Sequence, residues 1–164
     1  MKLEDEGTGG EKTARLVLDT NVVMDLLYFR DFRVLRLEAS IRKRGAACFT
    51  DSACFAELER VAAYSKFGLS GEGRRILLEN YRRFVFFWPD DAEGSGRPPC
   101  GGGTIPRCRD ADDQKFLSLA VRCAAALLVT RDRSLLVLNR RLRGCAILEP
   151  EAACVFLENM NAAV

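Results

Sequence analysis

Short apolar runs alternate with longer stretches whose apolar residues recur at helical spacing, and this alternation constrains the fold more than any other feature of the chain. The runs are RLVLD at 15–19, AACFT at 46–50, VFFW at 85–88, ALLVT at 126–130 and CAIL at 145–148. Each has strand length and is bounded by turn formers or by an amphipathic segment. TNVVMDLLYF follows the first as a helix capped near Asp19 or Thr20, and a second helix spans about 32–43 with Val34, Leu35, Leu37 and Ile41 on one side. Gly45 stands where a glycine just past a helix C-terminus would stop it. DSACFAELERVAAY begins a helix at a Thr50/Asp51 cap, SGEGRRILLENYRRF reads as another, and further helices are predicted over about 111–124 and over RSLLVLNRRL. A final helix, after CAIL, is opened by Pro150 at its first position. Strand and helix in strict alternation predict a parallel sheet covered by helices on both faces, and the handedness of crossovers makes it a right-handed three-layer α/β/α sandwich.

The 164 residues suffice for one domain. It is placed at 14–164, after an acidic, glycine-containing N-terminal segment, 1–13, read as a flexible tail without the apolar core of a signal peptide. Residues 89–109, PDDAEGSGRPPCGGGTIPRCR, are rich in Gly and Pro and read as a long surface loop in which no core packs. No apolar run approaches the ~20 residues of a membrane span, so no membrane partner is expected. The seven cysteines, at 48, 54, 100, 108, 123, 145 and 154, sit mostly among Ala, Leu and Val without a C-x-x-C pair. That is the pattern of small buried hydrophobes in a reducing, cytoplasmic setting. Only Cys100 and Cys108, in the loop, look free to serve as ligands, which disfavours zinc. The chain has no histidine. Ser-His-Asp and Cys-His nucleophiles are therefore excluded, and a hydrolase built on this chain must work with carboxylates and a metal.

Function in an open parallel sheet collects beyond the carboxyl ends of its strands. Asp19 ends the first strand, and Asp132 follows the fourth after Thr130 and Arg131. At about 100° per residue, Glu57 falls on the stripe of Cys54, Leu58 and Val61, while Glu59 points away. The same arithmetic sets Asp113 within the arc of Phe116, Leu117, Ala120 and Ala124, with Asp112 at its edge and Asp110 just before the helix. No Lys or Arg is expected on these faces. Four inward carboxylates, Asp19, Glu57, Asp113 and Asp132, raise one another's pKa values and call for a cation. Oxygen ligands select Mg²⁺ or Mn²⁺, bound by one or two carboxylates and otherwise by water. Such an ion activates water and clamps a phosphodiester without any histidine. The plain alternative is capping by Asp19 and Asp132, and by Asp110 with Asp113 as its third-position partner. Glu57 lies too far inside its helix to cap.

LVLDTNVVMDLL, FAELERV and RDADDQKFLSLAVRCAAALLVTRDRSLL resemble the motifs of the PIN domain family, in particular its branch of toxin components of bacterial toxin–antitoxin systems. The resemblance implies a five-stranded parallel sheet and a Mg²⁺- or Mn²⁺-dependent ribonuclease acting on single-stranded RNA. It also implies a homodimer and, for toxin members, a cognate antitoxin protein as partner. The family's metal-binding acids match Asp19, Glu57, Asp113 and Asp132, and its site-ordering polar positions match Asn21 and Thr130. The 89–109 loop is longer and richer in Gly and Pro than the family pattern, and Asp110 or Asp112 could stand in for Asp113 as third ligand.

Net charge is only +2. Of the local basic clusters, the one beginning with Arg131 and Arg133 beside Asp132 is the best placed to contact RNA phosphates, the alternative being a solvated helix end. Two rival functions differ in class. A haloacid-dehalogenase-like phosphatase also begins with an aspartate after a strand, but it needs a second acid where Asn21 stands and a phosphate-binding lysine, for which only Lys115 is at hand. A catalytically silent PIN-like module would bind RNA or protein without cutting. A dinucleotide site is disfavoured because the first turn, D-T-N, is not glycine-rich.

Overall fold

The computed structural model describes residues 13–90 and 104–160. The predicted N-terminal tail and most of the predicted 89–109 loop, Cys100 included, lie outside the described residues. Within them the apolar runs form five strands: β1 Arg15–Leu18, β2 Ala47–Thr50, β3 Val85–Phe87, β4 Leu127–Val129 and β5 Ala146–Leu148. They pair in the order β3-β2-β1-β4-β5, all parallel. β1 is central, with Val17 in register with Phe49 on one side and Leu128 on the other. Its side chains alternate between two apolar layers because helices cover both faces. Leu16 and Leu18 join Leu127 and Val129 in one core, and Val17 joins Leu128 and Ile147 in the other.

On the first face lie α1 Thr20–Met24, α2 Phe32–Arg44, α3 Ser52–Ala62, α4 Gly71–Phe84 and α7 Pro150–Asn159; on the second lie α5 Gln114–Arg122 and the short α6 Arg133–Leu136. The result is the expected α/β/α sandwich. α2 ends as expected, with Gly45 at φ 62°, a left-handed conformation that glycine adopts without strain. α1 runs on as a π-helical turn, Asp25–Phe29, closed by Arg30 at φ 54°.

Three expectations need correction. The helix predicted over 111–124 opens as a 3₁₀ turn, Ala111–Asp113, because the Asp110 side chain accepts from the Asp112 amide. It closes at Arg122, where Ala124 at φ 51° turns the chain and the Ala125 amide returns to the Ala120 carbonyl. RSLLVLNRRL is α-helical only over Arg133–Leu136; the Leu138, Asn139 and Arg141 amides then donate three residues back, as turns, and the Asn139 side chain accepts from the Ile147 amide in β5. Finally, the end of the 89–109 segment does enter the core. Cys108 is buried among the second layer's residues, anchored by its amide to the Gln114 side chain, so it is not a loop thiol open to a metal.

Candidate functional site

Asp19 is the residue at which β1 stops. Its amide still donates to the Val129 carbonyl, extending the β1–β4 pairing, and its backbone then enters α1. Its side chain does not cap that helix. The carboxylate is only 3% exposed, and Oδ2 accepts a 2.6 Å hydrogen bond from Thr130 Oγ1. Thr130, fully buried at the end of β4, is the bridge of the site. Its hydroxyl also accepts from the Asp132 amide, and its own amide donates to the Leu148 carbonyl. Burial pushes the Asp19 carboxyl up to about 6, the negative charges of Asp113 and Glu57 push the same way, and the Thr130 bond works against them. The capping alternative therefore fails for Asp19.

Glu57 reaches the site from the second turn of α3, a helix fixed at its start by the buried Asp51 side chain, which accepts from the Cys54 amide. Its side chain is 12% exposed, and its Oε2 meets the Nζ of Lys115 in an ion pair. Contrary to the expectation that no cation is aligned with these acids, Lys115 brings its ammonium onto Glu57. Lys115 stands in the first turn of α5, off the apolar face of that helix, and its long stem carries the ammonium across to Glu57 of α3.

Asp113 is half-buried and Asp110 and Asp112 are exposed, so of the three Asp113 is the one turned inward. Its Oδ2 accepts from Ser134 Oγ at 3.0 Å. Burial raises its pKa, and the charges of Asp132, Asp110 and Glu57 add to the effect. Asp132 does cap, accepting at Oδ1 from the Ser134 amide at 2.7 Å. Asp19, Glu57, Asp113 and Asp132 thus face a common region at the carboxyl end of β1 and β4. Asp19 is held by Thr130, Glu57 by Lys115, and Asp113 and Asp132 both by Ser134, and among the described residues no three His, Cys, Asp or Glu side chains stand together as a ready metal cage. An ion here would take one or two carboxylates directly and the rest through water, the usual manner of Mg²⁺. The donors are all hard oxygens, and the most buried of them, Asp19, has no cationic partner among the described residues; they suit such an ion.

The remaining expected residues divide. Asn21 is exposed on α1 and, among the described residues, makes no side-chain hydrogen bond to the acids. Arg131 is engaged: Nε donates to Asp25 Oδ2 at 2.8 Å, and Nη1 lies 3.8 Å from Glu151. Arg133 is exposed beside Asp132. Sequence reasoning passed over Ser134 and Lys115. Ser134 was signalled only by a hydroxyl two positions after Asp132.

No helix among the described residues is long and apolar enough to cross a membrane. No curated protein matches the sequence. Among solved structures, the fold is similar to that of VapBC2 from Rickettsia felis bound to a DNA fragment from their promoter, with a TM-score of 0.55 at 17% identity, covering 81% of this chain and 96% of that chain. The model of the PIN domain matches residues 15–134, a span that runs from β1 into α6 and takes in all four inward acids. That match spans well over half of the sequence, and the chain belongs to the PIN domain family.

Proposed function

We propose that the protein is a Mg²⁺- or Mn²⁺-dependent ribonuclease that hydrolyses phosphodiester bonds in single-stranded RNA. The observation that carries this reading is Asp19, a nearly inaccessible carboxylate that caps nothing and faces two further acids. Burying such a group costs several kcal/mol unless a positive charge arrives to meet it. Asp19, Glu57, Asp113 and Asp132 would hold the ion. When bound, the ion supplies a water of lowered pKa and stabilises charge on the scissile phosphate.

The chain's own groups do the rest. Thr130 fixes the rotamer of Asp19 and so ties the ends of β1 and β4 together, the Asp132 amide orients the Thr130 hydroxyl, and Ser134 fixes the rotamer of Asp113. Arg133, exposed at the rim, is placed to draw in the RNA backbone, with Arg131 behind it. The PIN family match and the likeness to VapBC2 support a toxin-type nuclease with a cognate antitoxin; a cytoplasmic homodimer belongs to the same proposal. The same match speaks against a dehalogenase-like phosphatase.

One observation favours a second reading. The Lys115 ammonium already neutralises Glu57, as it would in a silent module that binds RNA or protein without cutting. Incubating labelled single-stranded RNA with the purified protein and Mn²⁺ separates the two. Cleavage should be lost with a chelator. It should also fall in Asp19→Asn by more than the ~10- to 100-fold typical of disturbing a group behind a metal ligand. Equal cleavage by Asp19→Asn, or none by the parent protein, would sink the nuclease and leave the silent module.

A further inference from the structure

Lys115 has no part in the nuclease reading, yet its ammonium meets one of the four acids. Its Nζ and Glu57 Oε2 form an ion pair. The two side chains are 23% and 12% exposed, whereas the surface pairs of Arg75 with Glu72 and Glu79 have members 45–64% exposed. The helices that carry the pair are fixed to each other, since Cys54 of α3 and Phe116, Leu117 and Ala120 of α5 share one core. Lys115 also passes over the Phe116 ring, 5.7 Å from its centroid. The contact is therefore built in.

A carboxylate oxygen that neutralises an ammonium is a poor ligand for a dication. Two positive charges a few ångströms apart in a partly buried site repel strongly. On the metal-site reading of the preceding section, we infer that Lys115 is a tethered counter-cation: it holds Glu57 in the metal-free protein and competes with the divalent ion for that carboxylate. The acids then never face one another wholly unpaired, and metal affinity is set by how readily Lys115 gives way.

The test is calorimetric titration of Mn²⁺ into the full chain and its Lys115→Met, Lys115→Arg and Arg133→Met variants, with thermal denaturation in EDTA run alongside. Lys115→Met should bind Mn²⁺ about tenfold more tightly, a factor equivalent to about 1.4 kcal/mol. It should also melt lower than the parent in EDTA and gain more from added Mn²⁺. Lys115→Arg, which keeps the charge, and Arg133→Met, which removes a charge from the rim, should stay within about threefold of the parent. Lys115→Gln gives the same comparison should the methionine variant fail to fold. Equal or weaker binding by Lys115→Met overturns the inference while leaving the metal site intact, and so does an equal gain in Arg133→Met. Absence of binding in both the parent and Lys115→Met overturns the inference together with the metal reading.

Discussion

Asp19→Asn should make the metal-free protein more stable, and by an amount that depends on pH. The folded protein raises this carboxyl from its ordinary 3.8 to about 6, chiefly by burial. Between those values the folded chain keeps a proton that the unfolded chain has lost. Stability therefore falls as pH rises through that window, and the whole cost is in place above about 6. The gap corresponds to about 3 kcal/mol. Asparagine carries no charge to desolvate, and its side-chain oxygen can still accept from Thr130 Oγ1. In EDTA, urea unfolding should find Asp19→Asn more stable by up to about 3 kcal/mol at pH 8, by about half that at pH 5, and equal to the parent below pH 4. Saturating Mn²⁺ should shrink or reverse the difference, because a ligand that binds only the folded state stabilises it by mass action. A variant no more stable than the parent at pH 8, or a gain identical at pH 5 and pH 8, would refute the argument.

Arg122→Ala should be destabilising, because Asp51 is buried with one oxygen on the Cys54 amide and the other on Arg122, which also donates to the Pro89 carbonyl. Leaving that carboxylate without its cation should cost about 2–3 kcal/mol in urea unfolding, and a loss below about 0.5 would show that the pair is dispensable. Arg133→Ala should weaken RNA binding and make the log–log salt dependence shallower by about one. Arg131→Ala should add to that a loss of folding stability, since it breaks the contact with Asp25. Unchanged affinity across a salt series would remove both arginines from the RNA surface.

The strands and the inward acids were legible because they obey local rules. RLVL and LLV are apolar on both faces, as a covered parallel strand must be, and Glu57 could be assigned a direction because α3 is a regular helix with a clean cap at Asp51. What escaped depended on tertiary approach. Lys115 and Glu57 meet only because α5 packs against α3 and the lysine stem is long enough to reach across. Arg131 looked like a free cation until its guanidinium proved to be tied to Asp25, distant in the chain. Cys108 sits in a Gly- and Pro-rich context that reads as loop, and nothing local announces that the second core layer closes over it.

The position of β1 in the sheet orders events in time. As the central strand it is made first, but its pairing with β4, and the Thr130–Asp19 hydrogen bond that spans 111 residues, wait for most of the chain. β2 and β3 can zip onto one side of β1 early, leaving its other edge bare and adhesive until β4 arrives. Such late, long-range closure makes for slow folding. A chain interrupted during synthesis would hold Asp19 and Glu57 without the strand that orients them, so an emerging copy has an exposed edge to be shielded well before it has a working site.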